Sequence, residues 1–373
     1  MPGGIAVFVH NLCLALYERK NQVEVLVSVS EASELKNYDA FDTIQPYRVH
    51  RFKKSCVLSS FIPIVKTLIH IARFKPDILI LGHVISMHGF GALIAKKVLG
   101  IPYIVLSHGG DLGHLAVEGI DRWATHKILM NASLILANSA YTKQLIKKRG
   151  YNNERIFVLN PGVNTRLFNP EVNCDALREK YDLKNKKVLL TTARLVAKKN
   201  IERVLKALNQ VTAQIPNIHY LVIGDGEERA RLEELKDGLG LRSHVCFLGD
   251  IKNSQLPAFY VAADLFILPS CEISGDIETF GISFIEAGAC SKPVIGGRSG
   301  GISDAVIDGK TGLLVDPHNI SEISETITRL LTNKELALKL GLNGRRRVEE
   351  EFDWSKVGER LENYLKQVLK ATK

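Results

Sequence analysis

The chain has 373 residues, enough for two domains with separate cores, and its 46% hydrophobic and 24% charged residues exclude a disordered or fibrous protein. The net charge of +9 is uneven: residues 1–160 hold 19 Lys and Arg against 11 Asp and Glu, residues 161–373 hold 30 against 29, so the field belongs to the first half. That field suits solvated surface or attraction to anionic lipid or an acidic acceptor, and no nucleic-acid partner is expected.

The six cysteines (Cys13, Cys56, Cys174, Cys246, Cys271, Cys290) show no Cys-x-x-Cys spacing, which argues against zinc and against a disulfide framework and suits a reducing cytosol. No apolar run reaches the roughly 18 residues of a membrane span, and Ile5 to Leu16 lacks a basic leader and contains His10 and Asn11. The expectation is a cytoplasmic chain, free or peripheral on the inner face of a membrane.

In chain order, apolar strands alternate with helices, the pattern of a parallel, doubly wound α/β sheet. The first half predicts strands at Val23 to Val27, Ile78 to Leu81, Tyr103 to Leu106, Leu134 to Ala137 and Ile156 to Leu159. Helices are predicted at Phe8 to Arg19, His88 to Leu99, Arg122 to Asn131 and Ala140 to Arg149. The Asn-, Pro- and Gly-rich run Asn160 to Pro170 reads as an interdomain linker. A second series follows, with strands at Val188 to Thr192, Tyr220 to Ile223, Val245 to Leu248, Leu265 to Leu268, Val294 to Ile295 and Leu313 to Val315, then helices ending with Trp354 to Lys370. The expected domains are 1–163, 164–352 and a final helix, 353–373, that returns to the first domain. Ligands are expected in a cleft where both sets of strand ends converge.

The stretch Leu268 to Gly297 carries the most chemistry. Its strand breaks at Pro269 and restarts as a helix near Ile282, whose first N–H groups have no intrahelical partner and so form an anion site. Glu278 precedes that helix and Glu286 lies in its second turn. Framed by Phe280, Gly281, Ile282, Phe284 and Ile285, these carboxylates would cost several kcal/mol unless bonded; the alternative is two exposed helix-end charges.

Arg194 and Lys199, five apart across a loop, can reach one anion as a fork and a point charge, or be two solvated charges. Gly224-Asp-Gly226 follows a strand as a nucleotide-binding turn would, but Arg229 replaces the third glycine of a nicotinamide fingerprint. His108 stands at a strand's carboxyl end before Gly109 and Gly110, with Asp111 beyond it as a cap or a second polar candidate. Gly3 and Gly4 open an amphipathic helix and permit close backbone approach to a phosphate. Arg48, Arg51, Lys53 and Lys54, followed by Val57, Leu58, Phe61, Ile62, Ile64 and Val65, read either as an anionic-membrane surface or as a core-packing helix.

Together these stretches resemble the retaining, family-4-type glycosyltransferases of GT-B fold, with two facing Rossmann-like domains. The resemblance rests on Glu278-x7-Glu286, Arg194-x4-Lys199, the Gly224/Gly226 turn, Asn160-Pro-Gly-Val-Asn, Gly300-Gly301, Gly309 to Asp316 and Phe352-Asp-Trp354, and it covers nearly the whole chain. It implies transfer of a hexose from a nucleotide sugar with retention, without cofactor or protein-bound metal, to a glycan or lipid-linked hydroxyl. It also implies roles: Arg194 and Lys199 on the diphosphate, Glu278 on sugar hydroxyls, Glu286 on the ribose, His108 on the transferred sugar, and Gly3, Gly4 and the backbone of Phe280, Gly281 and Ile282 near the donor.

Asp250 and Ile251 fall beside the nucleobase by the same resemblance. A carboxylate there can accept the paired N–H donors of guanine, and the acidic run Gly275-Asp276-Ile-Glu278 is similar to that of mannosyltransferases, so GDP-mannose is favoured over a UDP sugar. The open alternatives are a UDP-sugar-dependent glucosyl- or N-acetylglucosaminyltransferase, a nucleotide-sugar epimerase and an inactive nucleotide-sugar-binding protein. One departure stands out: the family has a strand before the glycine loop, whereas this chain begins at the loop. Either its start is assigned late or the first domain lacks a central strand, which would expose unpaired sheet edges.

Overall fold

The computed structural model describes residues 4–29, 32–53, 62–83, 88–110, 120–151 and 154–372. Its elements run α1 (Gly4–Glu18), β1 (Glu24–Val29), α2 (Ala32–Thr43), β2 (Arg48–Lys53), α3 (Ile62–Phe74), β3 (Leu79–Leu81), α4 (His88–Leu99), β4 (Tyr103–Ser107), α5 (Ile120–Asn131), β5 (Leu134–Ala137), α6 (Ala140–Lys148) and β6 (Ile156–Val158). They continue with α7 (Asp175–Lys180), β7 (Lys187–Thr192), α8 (Ile201–Gln214), β8 (Ile218–Ile223), α9 (Arg229–Gly238), β9 (Val245–Gly249), α10 (Leu256–Ala262), β10 (Leu265–Leu268), α11 (Ile282–Ala289) and β11 (Val294–Gly297). The last are α12 (Ile302–Ala305), β12 (Leu313–Val315), α13 (Ile320–Thr332), α14 (Lys334–Arg347) and α15 (Trp354–Thr372). Two compact units result, Met1–Asn160 with Trp354–Lys373 and Pro161–Asp353.

In the first unit, β3-β4-β5-β6 form a parallel sheet, while β1 and β2 pair in parallel as a separate sheet. Every residue of β4 and of β5 is buried, as a parallel strand covered on both faces requires. The amphipathic helix α15 lays Val357, Leu361 and Leu365 against Phe8, Leu12 and Leu16 of α1. Gly358 permits the approach, since a Cβ there would lie 2.7 Å from that of Ala15.

Two elements here correct the sequence reading. Arg48 to Lys53 is strand β2, in register with β1, and Arg51 is committed to Asp42 through two hydrogen bonds of 2.5 and 2.9 Å. The basic part of the expected membrane surface is therefore a sheet strand with at least one charge neutralised. Residues 54–61, its remainder before Ile62, lie outside the described residues. Helix α2 was not expected at all, because its apolar residues are too few to mark a buried face.

The second unit has the parallel order β12-β11-β10-β7-β8-β9. The direction of winding reverses between β7 and β10, and in such sheets ligands bind outside the carboxyl ends at that switch. Helices such as α8 hold the layer in place, burying Ile201, Val204, Leu205, Leu208 and Val211 at helical spacing. Each such aliphatic side chain contributes about 1.5–3 kcal/mol on burial. The expected linker is part of this unit beyond Asn160: the Val163 N–H donates to Phe352 O at 2.8 Å, Phe168 is buried in the core, and Arg345 donates to the Phe168 carbonyl at 2.9 Å. Its Asn, Pro and Gly residues shape a hydrogen-bonded turn at the boundary between the two units.

Candidate functional site at the β7–β10 switch

The chain leaving β7 passes Arg194 and makes a short 3-10 turn, Ala197–Lys199, ended by Asn200 at φ 60°. Asn tolerates this left-handed conformation, and its amide spans two loops, donating to Pro269 O at 3.0 Å and Pro317 O at 2.6 Å. The chain leaving β10 is laced to the same turn. The Cys271 N–H donates to Lys198 O at 2.9 Å, Lys198 Nζ meets Asp276 Oδ1 at 2.7 Å, and Lys199 Nζ pairs with Glu278 Oε2.

The Lys199–Glu278 pair is shielded, with side chains 14% and 15% exposed. Burial alone would raise the Glu278 pKa, but the Lys199 ammonium, with Lys198 behind it, outweighs burial and holds the carboxyl below its ordinary value. The Glu278 carbonyl accepts from the Gly301 N–H at 2.8 Å. Gly300, at φ 57°, has no space for a side chain against that same carbonyl, so the Gly300-Gly301 turn fixes where Glu278 stands. Arg194 is exposed and makes no side-chain hydrogen bond or ion pair among the described residues.

The glycine turn after β8 presses on this loop. The Ala193 N–H donates to Ile223 O at 3.0 Å and the Leu195 N–H to Asp225 O at 2.9 Å. A Cβ at Gly224 would strike the carbonyl oxygen of Ala193, and one at Gly226 that of Leu195. These glycines are thus explained by backbone packing that holds Arg194 in place.

Glu286 has a different partner. The Tyr260 hydroxyl donates to Glu286 Oε2 at 2.6 Å and accepts from Thr192 Oγ1 at 2.5 Å, which joins α11 to the end of β7. Burial raises the Glu286 pKa, and the Tyr260 hydrogen bond only partly offsets it. Gly281, at φ 88°, is the N-cap of α11, and a Cβ there would come within 2.6 Å of the Phe284 ring. The Phe280 ring is 2% exposed and stacks edgewise on Phe352, leaving its backbone as the part able to reach a ligand. Ile282 is half-buried and packs against the core.

Asp250 is exposed just beyond β9, whose last residue, Gly249, has φ 69°; Ile251 packs on the core. In the first unit, His108 follows β4 with Nε2 3.0 Å from Gly82 O, so that nitrogen carries the proton; its ring meets Phe8 edge-on. Gly4 opens α1, and a Cβ there would meet nothing within 4 Å among the described residues. Gly3 and Asp111 lie outside the described residues. Sequence reasoning missed Tyr260, Thr192 and the role of Asn200; only the last left a signal, an Asn just before an amphipathic helix. A cavity of ≈ 250 Å³ abuts the 3-10 turn, lined in part by Ala197, Asn200, Glu202, Arg231 and Cys271, and none of the expected site residues lines it.

A Rossmann-like unit with cations and carboxylates gathered at its switch point suits an anionic, hydroxyl-bearing ligand, and comparison names the family. The chain belongs to the group 1 glycosyltransferases. Residues 174–347 match the family described as Glycosyl transferases group 1, and residues 2–167 match Glycosyltransferase Family 4. It is 31% identical over 276 residues, 73% of this chain and 72% of the relative, to the GDP-mannose-dependent alpha-(1-6)-phosphatidylinositol monomannoside mannosyltransferase of Mycolicibacterium smegmatis. To the protein of the same description from Mycobacterium tuberculosis it is 29% identical over 350 residues, 90% of this chain and 88% of the relative.

Solved structures agree on the GT-B fold. Anabaena HepE in complex with UDP superposes with a TM-score of 0.80 at 21% identity, over 98% of this chain and 97% of that one. Sucrose-phosphate synthase from Thermosynechococcus elongatus gives 0.79 at 24% identity, over 99% and 94%. Among the described residues no helix is long and apolar enough to cross a membrane.

Proposed function

We propose that this glycosyltransferase moves a mannosyl group from GDP-mannose, with retention of anomeric configuration, to a hydroxyl of a lipid-linked or growing glycan acceptor. The Lys199–Glu278 pair at the switch point, beside the exposed Arg194, carries the reading. The relatives described as GDP-mannose-dependent support the donor.

As the bond from sugar C1 to the β-phosphate oxygen breaks, negative charge gathers on the diphosphate and positive charge on the sugar. Arg194 and Lys199 take up the first, together with the leading N–H groups of α11. Lys199 turns part of its charge from Glu278 to phosphate, and Glu278 then accepts from sugar hydroxyls. The acceptor oxygen bonds to C1 on the face the diphosphate leaves, and its proton passes to the departing phosphate oxygen. No cofactor enters these steps, and the protein's own cations stabilise the leaving group. Glu286, oriented by Tyr260, receives the ribose hydroxyls, and Asp250 the guanine N–H pair.

Calorimetric titration tests the donor. GDP is expected to bind more tightly than UDP, and Asp250→Ala to lose that preference. Tighter binding of UDP, or an Asp250→Ala variant with full GDP affinity, would overturn the choice.

A further inference from the structure

In the first unit, Glu24 of β1, His50 of β2 and His70 of α3 turn their ligand atoms to one point. The register aligns Glu24 with Arg48 and Leu26 with His50, so Glu24 and His50 are diagonal neighbours on one face of the two-stranded sheet. His50 Nε2 lies 3.2 Å and His70 Nε2 2.9 Å from Glu24 Oε2, with the two imidazole rings 4.4 Å apart. All three ligand atoms fall within 4.8 Å of one another.

Two observations separate this cluster from an ordinary ion pair. His70 Nε2 is buried and, despite its distance from Glu24, lacks the alignment of a hydrogen bond. The Glu24 side chain is 9% exposed, and among the described residues the Lys or Arg that reaches its carboxylate is Arg48, 3.9 Å away on a side chain 82% exposed. A shielded negative charge beside two imidazoles is thus weakly balanced. Ligands bonded tetrahedrally at about 2.0–2.1 Å are about 3.3 Å from each other, close to the observed separations.

We propose that Glu24, His50 and His70 bind one divalent transition-metal ion, Zn²⁺ by its donor set, fastening α3 to the β1–β2 sheet. Two imidazoles and a carboxylate suit zinc, and the half-exposed His50 side admits water as a fourth ligand. The cysteine spacing argued against zinc held by thiolates; these ligands come from three elements 20 or more residues apart, which no short motif reveals. This site is separate from the transfer chemistry proposed for the second unit.

The test uses the full chain stripped by a chelator and dialysed. Zn²⁺ titrated against a chromophoric competitor is expected to bind at one ion per chain and to raise Tm. Co²⁺ is expected to give the intense visible bands of four-coordinate geometry. His50→Gln and His70→Gln are each expected to lower Zn²⁺ affinity by about 100-fold or more. Should either variant fail to fold by circular dichroism, Glu24→Gln and the Co²⁺ spectrum of the unsubstituted chain decide. No stoichiometric uptake, only the weak bands of hydrated Co²⁺, or equal affinity in the folded variants would overturn the site.

Discussion

Lys199 and Glu278, 79 positions apart in sequence, meet as a shielded ion pair where the loops after β7 and β10 are laced together. Lys199 holds the Glu278 carboxyl below its ordinary pKa, and each is a group that the proposed reaction recruits. The pair therefore links stability to catalysis, and the two can be separated by substitution.

Lys199→Met leaves the Glu278 carboxylate in a shielded site without its counterion, which for a buried pair costs about 3–5 kcal/mol. Glu278→Leu strands the lysine in the same way. The double variant is expected to recover most of that stability in urea unfolding and to recover no turnover. Additive losses in the double variant would show that the pair is not coupled.

Glu278→Ala and Lys199→Ala are each expected to reduce turnover by about 100-fold or more, since each removes a contact that strengthens as charge separates. Glu286→Ala is expected to raise KM for the donor more than it lowers kcat. His108→Ala is expected to lower kcat in a protein whose melting is little changed. Unaltered kcat in folded Lys199→Ala, or equal donor affinity in Glu286→Ala, removes the corresponding role.

Glu286 gives a pH signature of opposite sign to Glu278. Its folded pKa is raised, so its burial costs nothing where both states are protonated. The cost appears as pH rises past the unfolded value and is complete above the folded one. Glu286→Gln, which keeps an acceptor for Tyr260, is therefore expected to melt higher than the parent at pH 7 and level with it near pH 4. For a unit of this size each kcal/mol shifts Tm by about 2–4 °C. For Glu278 the folded pKa is lowered, so its contribution is present above the unfolded value and is lost as pH falls through the folded one. A Glu286→Gln advantage confined to acid pH contradicts the assignment.

The glycine turn offers a packing test. Gly224→Ala and Gly226→Ala must displace the backbone at Ala193 and Leu195, at an expected cost of about 1–3 kcal/mol or more and with weakened nucleotide binding. Gly238→Ala, at the end of α9 where nothing lies within 4 Å of the new Cβ, is expected to stabilise by about 0.5–1 kcal/mol. Equal melting of all three would contradict the packing.

What the sequence disclosed depended on whether a signal was local. Strands β4, β5 and β10 are apolar runs bounded by Ser107, Asn138 and Pro269, and α11 begins where Gly281 breaks the loop, so the strand–loop–helix frame was readable. Strand β2, Arg-Val-His-Arg-Phe-Lys, alternates charge with apolar residues and looked like a basic patch because its partner lies 24 residues earlier. Arg194, Lys199, Glu278 and Glu286 were placed in one site by resemblance; spacing cannot show that Lys199 and Glu278 touch. Tyr260 sits in an apolar helix and looks like core, which it is, apart from its hydroxyl on Glu286.

The most direct measurement incubates the chain with a panel of GDP and UDP sugars and follows release of the nucleoside diphosphate, with the anomeric configuration of any product read by NMR. GDP release from GDP-mannose, dependent on Lys199 and giving an α-mannoside, is the expected result. Turnover of a UDP sugar in preference, an inverted product, or full activity in Lys199→Ala would contradict the account.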